Sequence, residues 1–372
     1  MRYISRFAPH AFASAMVLAL GASMAPQAVV AADTFMPACY TPASASAGTI
    51  QYPARTGPYR VALVYGFNGI PWLTQMVQET QAWVARPENA KNIKELKVVG
   101  TGSDVVAQIA AIDSFIQVGY DAIVFDAVNP KAFDSVIRRA KKAGTVLVSF
   151  DNVVDSPDVF KVTPDFKAFG VLKTQTVIDL MPTKKGRLLE VRGPAGAPND
   201  RARHAGAREV LDKYKDIQVT EVVGNWDTGT VQKVVSDAIA VNGDFDAIVC
   251  QHGCQGVTNA LKAANSPATP VGGDAVNGFV KALVSQKIPG ISISTSPGQG
   301  PVAVQAAIAL LRGKALPSLA YLPPLHAMTR DMKVNVNYFP ELPDSYETVS
   351  SYTNCGVVLK PQEFTKLSAK DK

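Results

Sequence analysis

Residues 59–72 read Tyr-Arg-Val-Ala-Leu-Val-Tyr-Gly-Phe-Asn-Gly-Ile-Pro-Trp. An apolar, β-branched run is followed by a turn with two glycines and a proline that opens a helical pattern over Pro71–Arg86. The run Arg60–Tyr65 lacks polar alternation, the mark of a strand buried on both faces of a parallel sheet. The same unit recurs along the chain. Short runs at Leu96–Val99, Ala122–Phe125, Val146–Phe150, Arg187–Val191, Gln218–Val223, Ala247–Cys250, Pro270–Gly272 and Ile291–Ser294 alternate with amphipathic stretches. Among the stretches are Val105–Gln117, Lys131–Lys142, Phe166–Leu180, Arg201–Tyr214 and Gly300–Arg312. This is the signature of repeated βα units. Their number suits two doubly wound α/β domains better than one large sheet. Ser103 or Asp104 is placed to cap one helix, Asn129-Pro130 to start the next and Gly144 to end it.

The ends of the chain differ from this regular middle. Arg2 and Arg6 precede an apolar stretch, Ala11–Met24, and small residues lead on to Ala32. That order is a secretory signal with cleavage near Ala32, which places the mature protein in the periplasm. The stretch is shorter than the roughly 20 apolar residues of a membrane span. Cys39 lies too far beyond it for a lipoprotein anchor. Residues 33–58 read as an irregular arm. The tail beyond Leu316 is rich in proline and aromatics and loses the helical period.

Charge and cysteine content narrow the function. The 372 residues carry a formal charge of +6, of which the signal holds two arginines. The remainder is scattered, without basic runs interleaved with aromatics, so nucleic acid is not an expected partner. Four cysteines in an exported chain imply disulfides. Three pairings exist, and Cys250–Cys254 with Cys39–Cys355 is the favoured one. Loop closure gives about 2 kcal/mol for the short bridge and about 5 for the long one. Gly-x-Ser-x-Gly and His-Glu-x-x-His motifs are absent, and Gly100–Asp104 is a poor phosphate turn, so no enzyme, cofactor or nucleotide site is expected. Cys250, His252 and Cys254 lack a fourth zinc ligand, and no metal is expected there.

In doubly wound sheets ligands bind at the carboxyl ends of strands. There the sequence places Phe67, Asn68 and Trp72, then Asp126, then Asp151 and Asn152. Later ends give Arg203 on a helix start, Trp226, His252, Asp274 and Thr295. Acids and amides grip adjacent hydroxyls two at a time, and an aromatic face packs on the C–H face of a sugar ring. The set therefore suits a small polyhydroxylated ligand.

Four stretches carry a family resemblance: Asn68–Trp72, Val148–Asp151, Gly193 with Arg201-Ala202-Arg203 and Gly206, and Val271–Asp274. In this order they resemble the ribose-binding branch of the type I periplasmic binding proteins of ABC sugar importers. The resemblance implies two lobes joined by a three-segment hinge, with the ligand in the cleft. It places the first lobe at 59–162 and 295–326, the second at 163–294, and an extension at 327–372 that crosses the hinge. It further implies that Asn68, Trp72, Asp151, Arg203, Trp226, Asp274 and Thr295 line the cleft, that the partner is an inner-membrane ABC permease, and that the protein is monomeric. Presentation to a chemotaxis receptor or sensor kinase, or binding of a non-sugar small polar solute, is the alternative. Asn152, Asp126 and His252 depart from the ribose pattern, leaving another pentose, a hexose, a polyol or an amino sugar open.

Overall fold

The computed structural model describes Met1 and residues 37–67, 70–195, 197–267 and 269–367. The expected signal sequence with its cleavage site near Ala32, and Asn68 in the first loop, lie outside the described residues.

Two parallel sheets carry the fold. In the first, the strands run in the order Ile93–Gly100, Tyr59–Tyr65, Ala122–Phe125, Val146–Phe150, Phe160–Pro164. In the second, the order is Ile217–Val223, Gly186–Arg192, Ala247–Cys250, Val271–Asp274, Gly290–Ser294. Both therefore wind outward from their first strand in the same 2-1-3-4-5 order. Each leaves a crevice at the carboxyl ends of its first and third strands, where the winding reverses. Central strands such as Ala122–Phe125 and Ala247–Cys250 are buried along their whole length, which explains their uninterrupted apolar sequence.

The chain passes between the sheets at three places: after Pro164, between Ser294 and Gln299, and between Leu322 and Leu325. Leu319–Leu322 extends the first sheet in parallel, whereas Leu325–Met328 pairs antiparallel with Gly290–Ser294 of the second. Residues 325–326, expected in the first lobe, thus run with the second sheet. Phe160–Pro164 is a strand that the sequence pattern passes over, lying between two irregular loops. The helix expected from Asn129-Pro130 starts later, at Asp134, because Asn129 closes a turn on the Lys131 amide instead. Asp104 caps its helix through the Val106 and Ala107 amides, and Gly144 ends the next in the left-handed conformation.

Two packing features bear on the site. Helices Phe166–Leu180 and Pro198–Leu211 cross glycine to glycine: a Cβ on Gly206 would lie 2.1 Å from the Lys167 carbonyl, and one on Gly170 2.1 Å from that of Arg203. This close crossing sets the position of Arg203. Helix Gln299–Leu311 is buried on every side. The arm covers it through the Tyr40 hydroxyl, which donates to the Val302 carbonyl and Gln305, and the tail covers it where Gln305 donates to the Cys355 carbonyl. Cys39–Cys355 fastens arm to tail, and Cys250–Cys254 closes a short loop at a strand end. Among the described residues no helix is long and apolar enough to cross a membrane.

Replacing Gly206 with alanine should destabilise the fold by about 1–3 kcal/mol, because backbone rather than a mobile side chain stands in the way; thermal melting reads it. Removing the bridge between Cys39 and Cys355, 316 residues apart, should lower unfolding free energy by up to about 5 kcal/mol in denaturant titration. Removing Cys250–Cys254 should cost about 2 kcal/mol.

Candidate functional site

The crevice of the first sheet is built around Asp126. This buried carboxylate accepts the Gly66 amide at 2.9 Å, which ties the first strand end to the third. Gln108 holds the same loop, donating to the Asp126 carbonyl and accepting from the Val128 amide. Gly66 cannot be larger: a Cβ there would lie 2.5 Å from Val128. Burial first, and then the nearby Asp151, push the Asp126 carboxyl up to about 7.

Asp151 follows the fourth strand in the left-handed conformation, as does Phe67 after the first, at φ of 52° and 56°. Non-glycine residues adopt this conformation at a cost, which marks a turn held by its surroundings. Thr163 donates to the Asp151 carbonyl at 2.8 Å, and Asn152 donates to its carboxylate at 2.9 Å. From the second lobe, Asn199 reaches the same carboxylate at 3.5 Å. Burial raises Asp151 to about 6, although Arg203 opposes that shift.

Arg203 projects from the glycine crossing. Its guanidinium lies 4.6 Å from the Phe166 ring centroid and 5.7 Å from that of Trp226, a cation held between two aromatic rings. Burial lowers its pKa to about 10, while Asp151 and Asp274 work to raise it, and it stays charged at neutral pH. Trp226, itself left-handed at φ 58°, donates its indole N–H to Gln251 at 3.1 Å. The ring lies so close over Gly193 that a Cβ there would come within 2.2 Å. Gln251 also bonds the Gly193 amide and Asp200, and Asp200 is anchored by Arg192 at 2.7 Å. This buried lattice fixes the aromatic face.

His252 and Asp274 complete the second crevice. His252 Nδ1 lies 3.0 Å from the Asp274 carboxylate, which also accepts the Gly253 amide at 2.7 Å. Burial raises and the histidine lowers the Asp274 pKa, and the net result is downward. For His252 burial acts downward, but Asp274 and Glu347 outweigh it and hold the ring protonated more firmly than a free imidazole. Among the described residues, the second Asp274 oxygen and the Tyr352 hydroxyl are buried without a hydrogen-bond partner.

The structure thus gathers Phe67, Asp126, Asp151, Asn152, Arg203, Trp226, His252 and Asp274 at the facing strand ends. Trp72 and Thr295 meet at the hinge: the buried indole donates to the Thr295 backbone carbonyl, tying the first helix to the second crossing. Asp200 and Glu347 escape the sequence reading, and Gln251 and Arg192, though at strand ends, are not among its candidate ligand residues. Gln251 stands beside the predicted His252, and Asp200 in the turn before Arg203. Glu347 comes from the tail, where no period marks it. Glu190, His204 and Glu221 also lie together, but His204 is engaged by Glu190 at 3.0 Å and Glu221 by Arg192 at 3.0 Å.

Comparison with known proteins agrees with this geometry. A family model described as a periplasmic binding protein domain matches residues 61–315. The xylitol-binding protein of Mycolicibacterium smegmatis is 28% identical over 254 residues, covering 67% of this chain and 71% of that protein. An ABC transporter periplasmic solute binding protein from Actinobacillus succinogenes, solved with bound D-allose, superposes with a TM-score of 0.66 at 20% identity, over 73% of this chain and 98% of that one. A solute binding protein from Bacillus halodurans with bound myo-inositol gives 0.65 at 19% identity, over 73% and 95%. These two likenesses show the shared two-lobed α/β fold. With its two equally wound sheets, three crossings and polar strand ends, the chain belongs to the periplasmic binding protein family.

Proposed function

We propose that the chain is the solute-binding component of an ABC importer. It takes up a small sugar or polyol between its lobes and delivers it to an inner-membrane permease. The observation that carries this is the set of facing strand ends. Carboxylates and amides from the first lobe stand opposite an arginine between two aromatic rings in the second. Hydroxyls of a polyol match both the charged acceptors and the buried polar atoms left without partners, each of which costs about 1–3 kcal/mol when unsatisfied. The relative named for xylitol binding supports the same ligand class. The role so proposed is capture and release without turnover.

The mechanism follows from the crossings. The sheets are the rigid bodies, residues near 164, 295–298 and 323–324 bend, and a ligand that bonds both lobes stabilises the closed form. The permease reads that closed form. Export under the amino-terminal signal, with the mature chain monomeric in the periplasm, completes the proposal.

A thermal-shift screen of pentoses, hexoses and polyols, with amino acids as controls, should show stabilisation by polyhydroxylated compounds. No shift with any of them would overturn the reading. Arg203→Ala should weaken the ligand so found by about 50-fold in calorimetry, since a charged hydrogen-bond partner is worth about 2–3 kcal/mol; unchanged affinity would remove Arg203 from the site.

Asp126 gives a pH signature. Its carboxyl titrates at about 7 in the fold, against about 4 in an unfolded chain. The folded chain therefore holds the proton more tightly between those values. The stability this gives is full below about pH 4 and is lost as pH rises to 7. The melting temperature should fall across that window, and Asp126→Asn should flatten the fall.

A further inference from the structure

The tail beyond the third crossing meets both lobes within a few residues. The Thr348 amide and hydroxyl both donate to the Ala275 carbonyl at 2.9 Å, and the Tyr346 carbonyl accepts the Asn277 amide at 2.8 Å. Asn277 and Ala275 belong to the second lobe, directly after Asp274. Between these contacts, Glu347 is held from the first lobe. Gln75, on helix Pro71–Ala85, accepts the Glu347 amide and donates to the Glu347 carbonyl, both at 2.9 Å. The backbone is clamped from both sides, and the side chain enters between the lobes. It is 2% exposed. Among the described residues its carboxylate has one cation within 4 Å, His252 Nε2 at 4.0 Å, beyond hydrogen-bonding distance.

The charges around this point do not balance. The one arginine, Arg203, acts first on Asp151 and also on Asp274 and Glu347. The single His252 stands between two carboxylates, in contact with Asp274 at 3.0 Å and facing Glu347 at 4.0 Å. Among the described residues, Asp274 keeps one buried oxygen without a partner, and the tail's own Tyr352 brings a buried hydroxyl in the same state. Lys173 offsets Asp274 only in part: its amine is directed to the Cys250 carbonyl at 2.7 Å, and burial lowers its pKa to about 7. Burial likewise pushes Glu347 up to about 8, so at neutral pH the acid holds a proton that it would give up to a cation brought beside it.

We propose that the tail forms a wall of the ligand site and that Glu347 is a specificity-determining residue that selects a ligand bearing a protonated amine beside its hydroxyls. The inference deepens the binding function proposed above and rests on it. An ammonium placed between Glu347 and the free oxygen of Asp274 supplies the missing positive charge and up to three hydrogen-bond donors. A neutral polyol supplies hydroxyls only.

The test is calorimetry at pH 7 on the full chain with matched pairs: D-glucosamine against D-glucose, and an amino-inositol against myo-inositol. N-acetylglucosamine serves as the amine whose charge has been removed. At least one amine should bind tenfold or more tightly than its neutral partner, and acetylation should abolish that gain. In Glu347→Gln the ratio of amine to neutral affinity should fall towards one. Neutral members binding as tightly as amines in the wild-type chain would overturn the inference and leave the binding function standing. A preference retained in Glu347→Gln, or surviving acetylation, would also overturn it. Should Glu347→Gln not fold, the wild-type ratios and the acetylated probe decide the question alone. Binding of no polyhydroxylated compound at all would strike the binding function itself.

Discussion

Charges withdrawn from water must find partners, and in this protein several of those partners lie across the cleft. Asp151 of the first lobe is met by Asn199 of the second and faces Arg203. His252 of the second lobe is flanked by its own Asp274 and by Glu347 from the tail. Moving the lobes apart returns these groups to water, and bringing them together removes the water. Closure is then favourable only when a ligand replaces the lost hydration. A carboxylate whose pKa rises on burial, as at Asp126 and Asp151, records how incomplete the protein's own replacement is.

The second lobe prepares its half of the site in advance. The glycine crossing at Gly170 and Gly206 lets two helices approach until backbone touches backbone, which sets Arg203 over Phe166. Gln251 and Asp200 then hold Trp226 against Gly193. An arginine stacked between rings keeps little rotamer freedom, so little is lost when it binds. The first lobe relies on turns instead, with Phe67 and Asp151 held in left-handed conformation by the bonds around them.

How much of this was legible in the sequence depends on the range of the forces involved. Buried parallel strands write an uninterrupted apolar run into the chain, so the sheets and the residues at their ends, such as Asp126, Asp151 and Asp274, are readable locally. Helix caps such as Asp104 are local too. Gln251 was one position from a predicted residue, and only the lattice with Asp200 and Gly193 shows which of the two neighbours holds the tryptophan. Trp72 has the composition of a ligand aromatic, yet its indole is committed to Thr295, 223 positions away. Phe160–Pro164 is a strand with one partially exposed lysine and a terminal proline, a pattern shared with loops. Glu347 was beyond reach, because Gln75, Ala275 and His252 fix its position and none of them is near it in sequence.

That last case has a mechanical consequence. Before Glu347 the tail is fastened to the second lobe, where Asn277 donates to the Phe339, Leu342 and Pro343 carbonyls and Lys281 pairs with Asp344. Beyond Thr348, which still bonds Ala275 of the second lobe, the tail is fastened to the first lobe, where Arg86 pairs with Glu363 and Gln305 holds Cys355, itself bridged to Cys39. Residues 347–350 therefore span the lobes outside the three crossings made by the sheets. Any rotation of one lobe against the other must bend this segment as well, and the carboxylate of Glu347 rides on it. A group that both touches the ligand and sits on a segment strained by opening couples recognition to closure directly. The contact that selects the ligand is then the contact that holds the lobes shut.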